Sequence, residues 1–261
     1  IDLVLTELLY LWQSRDVALL IEWLDQDVNT SAQGLAAMAL GDLHMQLKLS
    51  PEGVPAAQQA IDALAGKFLA GGVDEATLWA VAYALATVDL PTVRQAVLIP
   101  FLDNLPALLG PGASGLQQLK CLAYLIGLVR WQDQQARAFL LEHCIRDADD
   151  ATLIAVAIDA LARLADTRDR ALMEAIALGK PPAETLPTYA DLALDDQQYL
   201  RRKAIDALVS LGDTASLANL RQGRSAADGW NQDLEQALYR TSEEIFWRQY
   251  RDDGLTLRGK P

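Results

Sequence analysis

The sequence predicts an all-α protein, an α-solenoid of stacked helical hairpins. Three observations carry the prediction. Apolar residues recur with the 3.6-residue period of a helix along nearly the whole chain and almost never alternate as strand residues do. The segments marked in this way run about 12 to 18 residues between short turns, a spacing that suits antiparallel neighbours. Several of them also end in the same three-residue pattern: an apolar residue, a small or variable one, then Asp.

The elements follow in order. Leu5, Leu8, Leu9 and Trp12 share one helical face, as do Val17, Leu20, Ile21 and Leu24. The third helix carries Leu35, Met38, Leu43 and Leu47, and Thr30 with Gln33 has the spacing of a capping box at its start. Ser50-Pro51 places a proline at a first helical position, where its missing N–H costs nothing, ahead of Ala57, Ile61, Leu64 and Phe68. Gly71-Gly72 breaks the chain before Leu78, Val81, Leu85 and Val88. The helix from Glu75 to Val88 is apolar nearly all round, since Trp79, Tyr83 and Ala86 flank its main stripe, and such a helix is buried on most sides. Pro100 and Pro106 predict a kink or split in the next helix. Gly110-Pro111-Gly112 ends it, and Ser114 with Gln117 has capping-box spacing before the apolar helix from Leu116 to Arg130. Gly179-Lys180-Pro181-Pro182 marks a later break. Trp230 to Tyr250 closes the stack: Leu234, Leu238, Thr241 and Ile245 fit one face of a terminal capping helix, with Phe246, Trp247 and Tyr250 near its end.

The Asp-ended pattern appears at Leu40-Gly41-Asp42, Thr87-Val88-Asp89, Trp131-Gln132-Asp133, Leu164-Ala165-Asp166 and Leu211-Gly212-Asp213. Successive Asp residues lie 47, 44, 33 and 47 positions apart, near the length of one helical hairpin with its loops. An Asp there can cap the following helix, and a preceding Gly can take the left-handed conformation that ends the previous one. The expected organisation is a single domain over residues 1–250, of five or six hairpins with repeat ends near these Asp residues, and a flexible tail over 251–261.

The stretch from Leu200 to Asp213, with Leu200-Arg201, Ala204, Ala207-Leu208 and Leu211-Gly212-Asp213, resembles the inner-helix signature of HEAT-like repeats, particularly the short bacterial type first noted in phycobilin lyases. Ala151 to Asp166 is a weaker match that lacks the Arg and the Gly. Gln33 to Asp42 is a partial one without the Arg, and the copies ending at Asp89 and Asp133 replace the Leu with Thr87 and Trp131. The resemblance implies a right-handed superhelix of helix pairs. It does not imply lyase activity, because the fold hosts mostly scaffolds. In such repeats the Arg near the inner-helix start helps to hold adjacent repeats together; here Asp195 or Asp196 offers it a local partner.

Composition narrows the functions. The net charge is −13 and the sequence pI about 4.5, which argues against nucleic acid or an anionic membrane surface as the main partner. The longest apolar run, Cys121 to Val129, is too short to span a bilayer, so no membrane insertion is expected. Cys121 and Cys144 do not make a disulfide framework and are read as reduced and buried, in a cytoplasmic setting. The chain opens at Ile1 without a methionine, which leaves a processed or trimmed piece as an expectation. Residues 1–130 carry 6 Lys/Arg and 13 Asp/Glu, against 16 and 22 in residues 131–261. The sparsely charged first half is expected to bury more of its surface, within itself or against a partner.

Chemical motifs are scarce. The two histidines, His44 and His143, do not make up a zinc ligand set, and the neighbours His143 and Cys144 diverge on a helix. Gly112-Ala113-Ser114-Gly115 lacks the second Gly of a nucleophile elbow and has no strand before it. The carboxylate pairs Asp74-Glu75, Asp149-Asp150, Asp195-Asp196 and Glu243-Glu244 are read as charges at helix starts, opposing the dipole. No catalytic residue, cofactor or metal is therefore expected. The expected function is a non-enzymatic interaction module whose partner is a protein or peptide. Candidate binding residues are the aromatics Trp79, Tyr83, Tyr124 and Trp131 on predicted inner helices, the basic Arg201 and Arg202, and Trp247. The alternative is a HEAT-like enzyme or enzyme subunit, either bilin lyase-like or a base-excision enzyme with a basic groove.

Overall fold

The computed structural model of the chain describes residues 12–26, 30–70, 73–108, 115–225 and 229–252. Among them no strand occurs, and twelve helices account for most of the chain. Contacts divide it into two compact units, Ile1–Val129 and Arg130–Pro261.

The first unit holds α1 (Val17–Asp25), α2 (Thr30–Leu47), α3 (Val54–Ala70), α4 (Glu75–Thr87), α5 and α6 (Leu116–Leu128). Helix α5 is composite: Leu90–Val93, a π turn Arg94–Leu98, then Ile99–Leu108. The even-numbered helices form one layer, α2 on α4 and α4 on α6; α1 packs on α3, and α3 on the π turn of α5, in the other. The second unit holds α7 (Gln134–Leu141, extended by a π turn Glu142–Arg146), α8 (Ala151–Leu164), α9 (Arg170–Ala177), α10 (Leu194–Leu211), α11 (Thr214–Gly223) and α12 (Gln232–Asp252). Here α8, α10 and α12 stack in one layer, with α9 on α10 and on α11. Each unit thus has the two-layer, pair-after-pair layout of an α-solenoid, with three pairs, in keeping with the five or six hairpins expected.

The periodicity explains the layers. In α8, Leu153, Ile154, Ala157, Ile158, Leu161 and Leu164 are buried; in α10, Leu200, Ala204, Ile205, Leu208 and Leu211 are. Each such Leu or Ile contributes about 1.5–3 kcal/mol on leaving water. The alanines between them let the helix axes approach.

The Asp-ended pattern is met at four of its five places. Asp89, Asp133 and Asp213 accept hydrogen bonds from the backbone N–H of Thr92 (3.2 Å), Ala136 (2.9 Å) and Ser216 (3.0 Å). Asp166 accepts from the N–H of Arg168 at 3.0 Å. Asp74 and Asp150 cap in the same way without the full pattern.

Asp42 does not cap. It lies inside α2, which runs on to Leu47. Gly41 is there for close approach: a Cβ at this position would come 2.8 Å from the Ala84 carbonyl oxygen and 3.2 Å from the Ala84 Cβ, so glycine lets α2 and α4 meet. Gly212 ends α10 in extended backbone (φ −86°), not in the left-handed conformation. The left-handed residue is instead Ala165 (φ 56°), which ends α8 and is exposed. An alanine in that region is strained, whereas a glycine is not. Ala165→Gly is therefore expected to raise stability by up to about 1 kcal/mol, read as a higher urea midpoint with an unchanged slope.

Other expectations change locally. Gln33 makes no capping box; its side chain is buried elsewhere, as described below. Ser114, of the second capping box and the elbow-like segment, lies outside the described residues, as do Leu5, Leu8 and Leu9, Gly71-Gly72, Gly110-Pro111-Gly112 and tail residues 253–261. The break expected at Pro100 takes the form of the π turn directly before it, in which the Ile99 N–H reaches back to the Arg94 carbonyl. Helix α5 then continues through Pro106 to Leu108. Glu243-Glu244 sit in the middle of α12, and Glu243 accepts a hydrogen bond from the Tyr239 hydroxyl at 3.0 Å.

Candidate functional site

The last carbonyls of a helix have no partner within it. Polar side chains of neighbouring segments, most of them buried, fill that need repeatedly. Gln33 on α2 donates to the Leu24 carbonyl near the end of α1 (3.3 Å), and accepts from the Thr77 hydroxyl on α4 (2.9 Å). Gln118 on α6 donates to the Phe68 carbonyl near the end of α3 (3.1 Å). Gln132 donates to the Leu164 carbonyl at the end of α8 (3.0 Å). Arg201 on α10 does the same for α9: its Nε donates to the Ala177 carbonyl at 3.0 Å, and its guanidinium lies 5.6 Å from the centre of the Trp230 ring. Next to it Gly179, left-handed at φ 75°, closes α9. The Lys180 N–H bonds to the Ala175 carbonyl and the Gly179 N–H to the Ile176 carbonyl, a Schellman motif.

Arg201 is 3% exposed and Trp131 2%. Both are buried in the folded chain. Burial of this degree fits packing between helices. The sequence signal for this role is a polar residue inside an otherwise apolar stripe. It is present at Gln33, whose spacing from Thr30 also fits a capping box, and at Gln118.

The remaining candidates are accessible. Trp79 and Tyr83 lie one turn apart on α4, and Tyr124 lies on α6. Trp79 and Tyr124 are half-buried, with ring centres 5.0 Å apart in an edge-on arrangement, while Tyr83 is 49% exposed. The Trp79 Nε1–H donates to Glu75 at 3.3 Å. On α2, Leu35, Met38 and Asp42 are half-buried. Burial pushes the Asp42 carboxyl above its usual range. Below the surface Cys121 is buried; burial, reinforced by the charge of Glu75 and opposed by that of Lys120, raises its thiol to about 12. Burial also pushes Cys144 up, so both thiols are held in their neutral, unreactive form.

The second unit offers a different surface. Arg202 is exposed and lines a shallow groove of mixed charge with Gln232, Asp233, Glu235, Gln236, Tyr239 and Arg240. Lys203 donates to Asp159 on α8 at 2.6 Å. Trp247 is exposed and packs edge-on with Phe246 (5.4 Å) and Tyr250 (5.8 Å). Among the described residues no group of three or more His, Cys, Asp or Glu is placed to hold a metal ion, and no helix is long and apolar enough to cross a membrane.

The capping Asp residues also carry charge between repeats. Asp89 accepts from Lys48 at 2.7 Å, Asp213 pairs with Arg170, and Arg137 bonds Asp169 and lies 3.8 Å from Asp166. Burial pushes the Asp89 carboxyl up, but the bonds from Lys48 and Thr92 outweigh it and hold the group at about 2. The bonds from the Arg168 side chain and backbone hold Asp166 at about 2 as well. Both values lie below the unfolded value near 3.8, so these groups stabilise the fold fully above that pH and lose the contribution as pH falls toward 2. The melting temperature is expected to drop steeply between about pH 4 and pH 2. Asp89→Asn retains a capping oxygen but not the charge, and is expected to cost about 0.2–1 kcal/mol at pH 7 and to make the acid drop shallower.

No protein-family model matches the chain, and no curated protein matches it. It is similar to an engineered protein whose structure was solved by the Northeast Structural Genomics Consortium: 20% identical, TM-score 0.43, covering 88% of this chain and 98% of that one. A second engineered protein from the same consortium is 17% identical, with TM-score 0.40 over 88% and 96% of the two chains. A designed armadillo repeat protein is 16% identical, with TM-score 0.39 over 87% and 98%.

Proposed function

We propose that the chain is a non-enzymatic interaction module of HEAT-like helical repeats, which binds a protein or peptide on the exposed face of α4 and α6. One observation carries this reading: Trp79, Tyr83 and Tyr124 lie together at the surface, on a layer whose neighbouring positions include the apolar Leu35 and Met38. An accessible aromatic group of this kind costs solubility unless something covers it, and aromatics supply much of the energy where proteins meet. The exposed Arg202 and Trp247 belong to the second unit and are assigned no part in this face. The net charge of −13 works against a DNA duplex as the ligand. Two free, buried thiols fit a reducing, cytoplasmic setting.

The test is site-specific photo-crosslinking in cells. A photoreactive residue at Tyr83 is expected to capture a discrete protein that the same residue at Asp62, exposed on α3, does not. Identical products from both positions, or none from Tyr83, would remove the reading.

A further inference from the structure

We propose that the face of α4 and α6 takes arginine side chains from a basic segment of the partner; this rests on the interaction-module reading of the same face. The argument begins with the rings. Trp79 and Tyr124 meet edge-on, so their ring planes stand nearly perpendicular, and Tyr83 stands one turn along α4 with half its surface open. Aromatic faces attract cations through their quadrupole, and a neighbouring carboxylate can add an ion pair to the same cation. Glu75 supplies that carboxylate: it is exposed, and the bond from Trp79 Nε1 fixes it at the ring edge. Asp42 supplies a second one on α2, one residue beyond the close approach of Gly41 to Ala84. Burial penalises its ionised form, and an incoming cation would relieve the penalty.

Charge complementarity points the same way. Residues 1–130 carry 13 acidic against 6 basic side chains, and three of those cations, Lys48, Lys67 and Lys120, are already engaged. Lys48 is bonded to Asp89, Lys67 lies 3.8 Å from Asp25, and Lys120 is only 9% exposed and has interactions of its own. Arginine is favoured over lysine because its planar guanidinium can lie on a ring while its fork bonds a carboxylate. The second unit shows the same pairing internally, where Arg201 lies over Trp230.

The test uses the full chain and a short peptide of arginine, glycine and serine, with lysine and glutamate counterparts, titrated by calorimetry at constant salt. The arginine peptide is expected to bind most tightly and the glutamate peptide not at all. Tyr83→Ala is expected to weaken arginine-peptide binding about fivefold and Glu75→Gln about threefold, in line with cation–π and exposed ion-pair strengths. Glu52→Gln makes the same charge change at an exposed position away from this face, and should leave affinity unchanged. Equal weakening by Glu75→Gln and Glu52→Gln would reduce the effect to general attraction by an acidic protein and overturn the proposal. So would unchanged binding in Tyr83→Ala. If the crosslink from Tyr83 persists while the arginine peptide fails, the partner chemistry is overturned and the interaction-module reading stands. If both fail, that reading falls as well.

Discussion

Arg201→Ala is expected to destabilise the second unit by about 2–4 kcal/mol, while Arg202→Ala, one residue on and exposed, stays within about 0.5 kcal/mol of the parent. The difference is one of burial and partners. Arg201 is 3% exposed, and its Nε donates to the terminal carbonyl of α9. Its guanidinium also packs on Trp230 and against Gly179 and Gly229; a Cβ added to either glycine would meet it at 3.3 or 3.4 Å. Truncation to alanine removes a charge-assisted hydrogen bond, leaves the Ala177 carbonyl without that donor, and opens a cavity between two loops. The desolvation of a buried guanidinium works in the other direction, and removing it returns part of the loss. Arg201→Met keeps most of the volume and is therefore expected to be milder than the alanine variant. Urea unfolding with a constant slope, and hydrogen exchange in α9 and α10, would read the effect. If Arg201→Ala and Arg202→Ala behaved alike, Arg201 would not be the tie between α9 and α10 that its contacts describe.

Trp131→Ala is expected to cost about 3–5 kcal/mol, and Trp247→Ala within about 0.5 kcal/mol. Both are tryptophans near the edge of an apolar pattern, and sequence alone offered both as binding anchors. Trp131 is 2% exposed, so its removal leaves a large cavity. Trp247 is 52% exposed and touches Phe246 and Tyr250 at the surface. Its loss gives up only edge contacts between rings that remain in water. Thermal melts of the two variants decide the matter: a small shift for Trp131→Ala would place that ring at the surface and return it to the binding candidates.

Much of this architecture was legible in the residues because its causes are local. Asp89, Asp133, Asp166 and Asp213 cap because a short carboxylate beside a helix start meets free backbone N–H groups wherever the helix is. Gly179 was visible as a break because glycine, lacking a Cβ, takes positive φ without help from any neighbour. Gly41-Asp42 misled for the complementary reason. The pattern of letters matches a helix end, but α4 lies against Gly41, and the glycine serves that approach rather than a turn.

The candidate site divides along the same line. Trp79, Tyr83 and Tyr124 were placed on helices of one layer by their period, but period does not say how far a ring protrudes. That depends on where the next helix lies, and it left Tyr83 open and Trp131 covered. The second duty of the Asp caps was hidden as well, since Lys48 stands 41 residues from Asp89 and Arg170 stands 43 from Asp213. The sequence by itself determined that the chain is helical, where most helices begin and end, and that they pair. Only the tertiary structure decided which polar side chains are turned inward onto helix-end carbonyls and which aromatics remain at the surface. Capping and periodicity act over a single helical turn, whereas burial is set by neighbours about forty residues away along the chain.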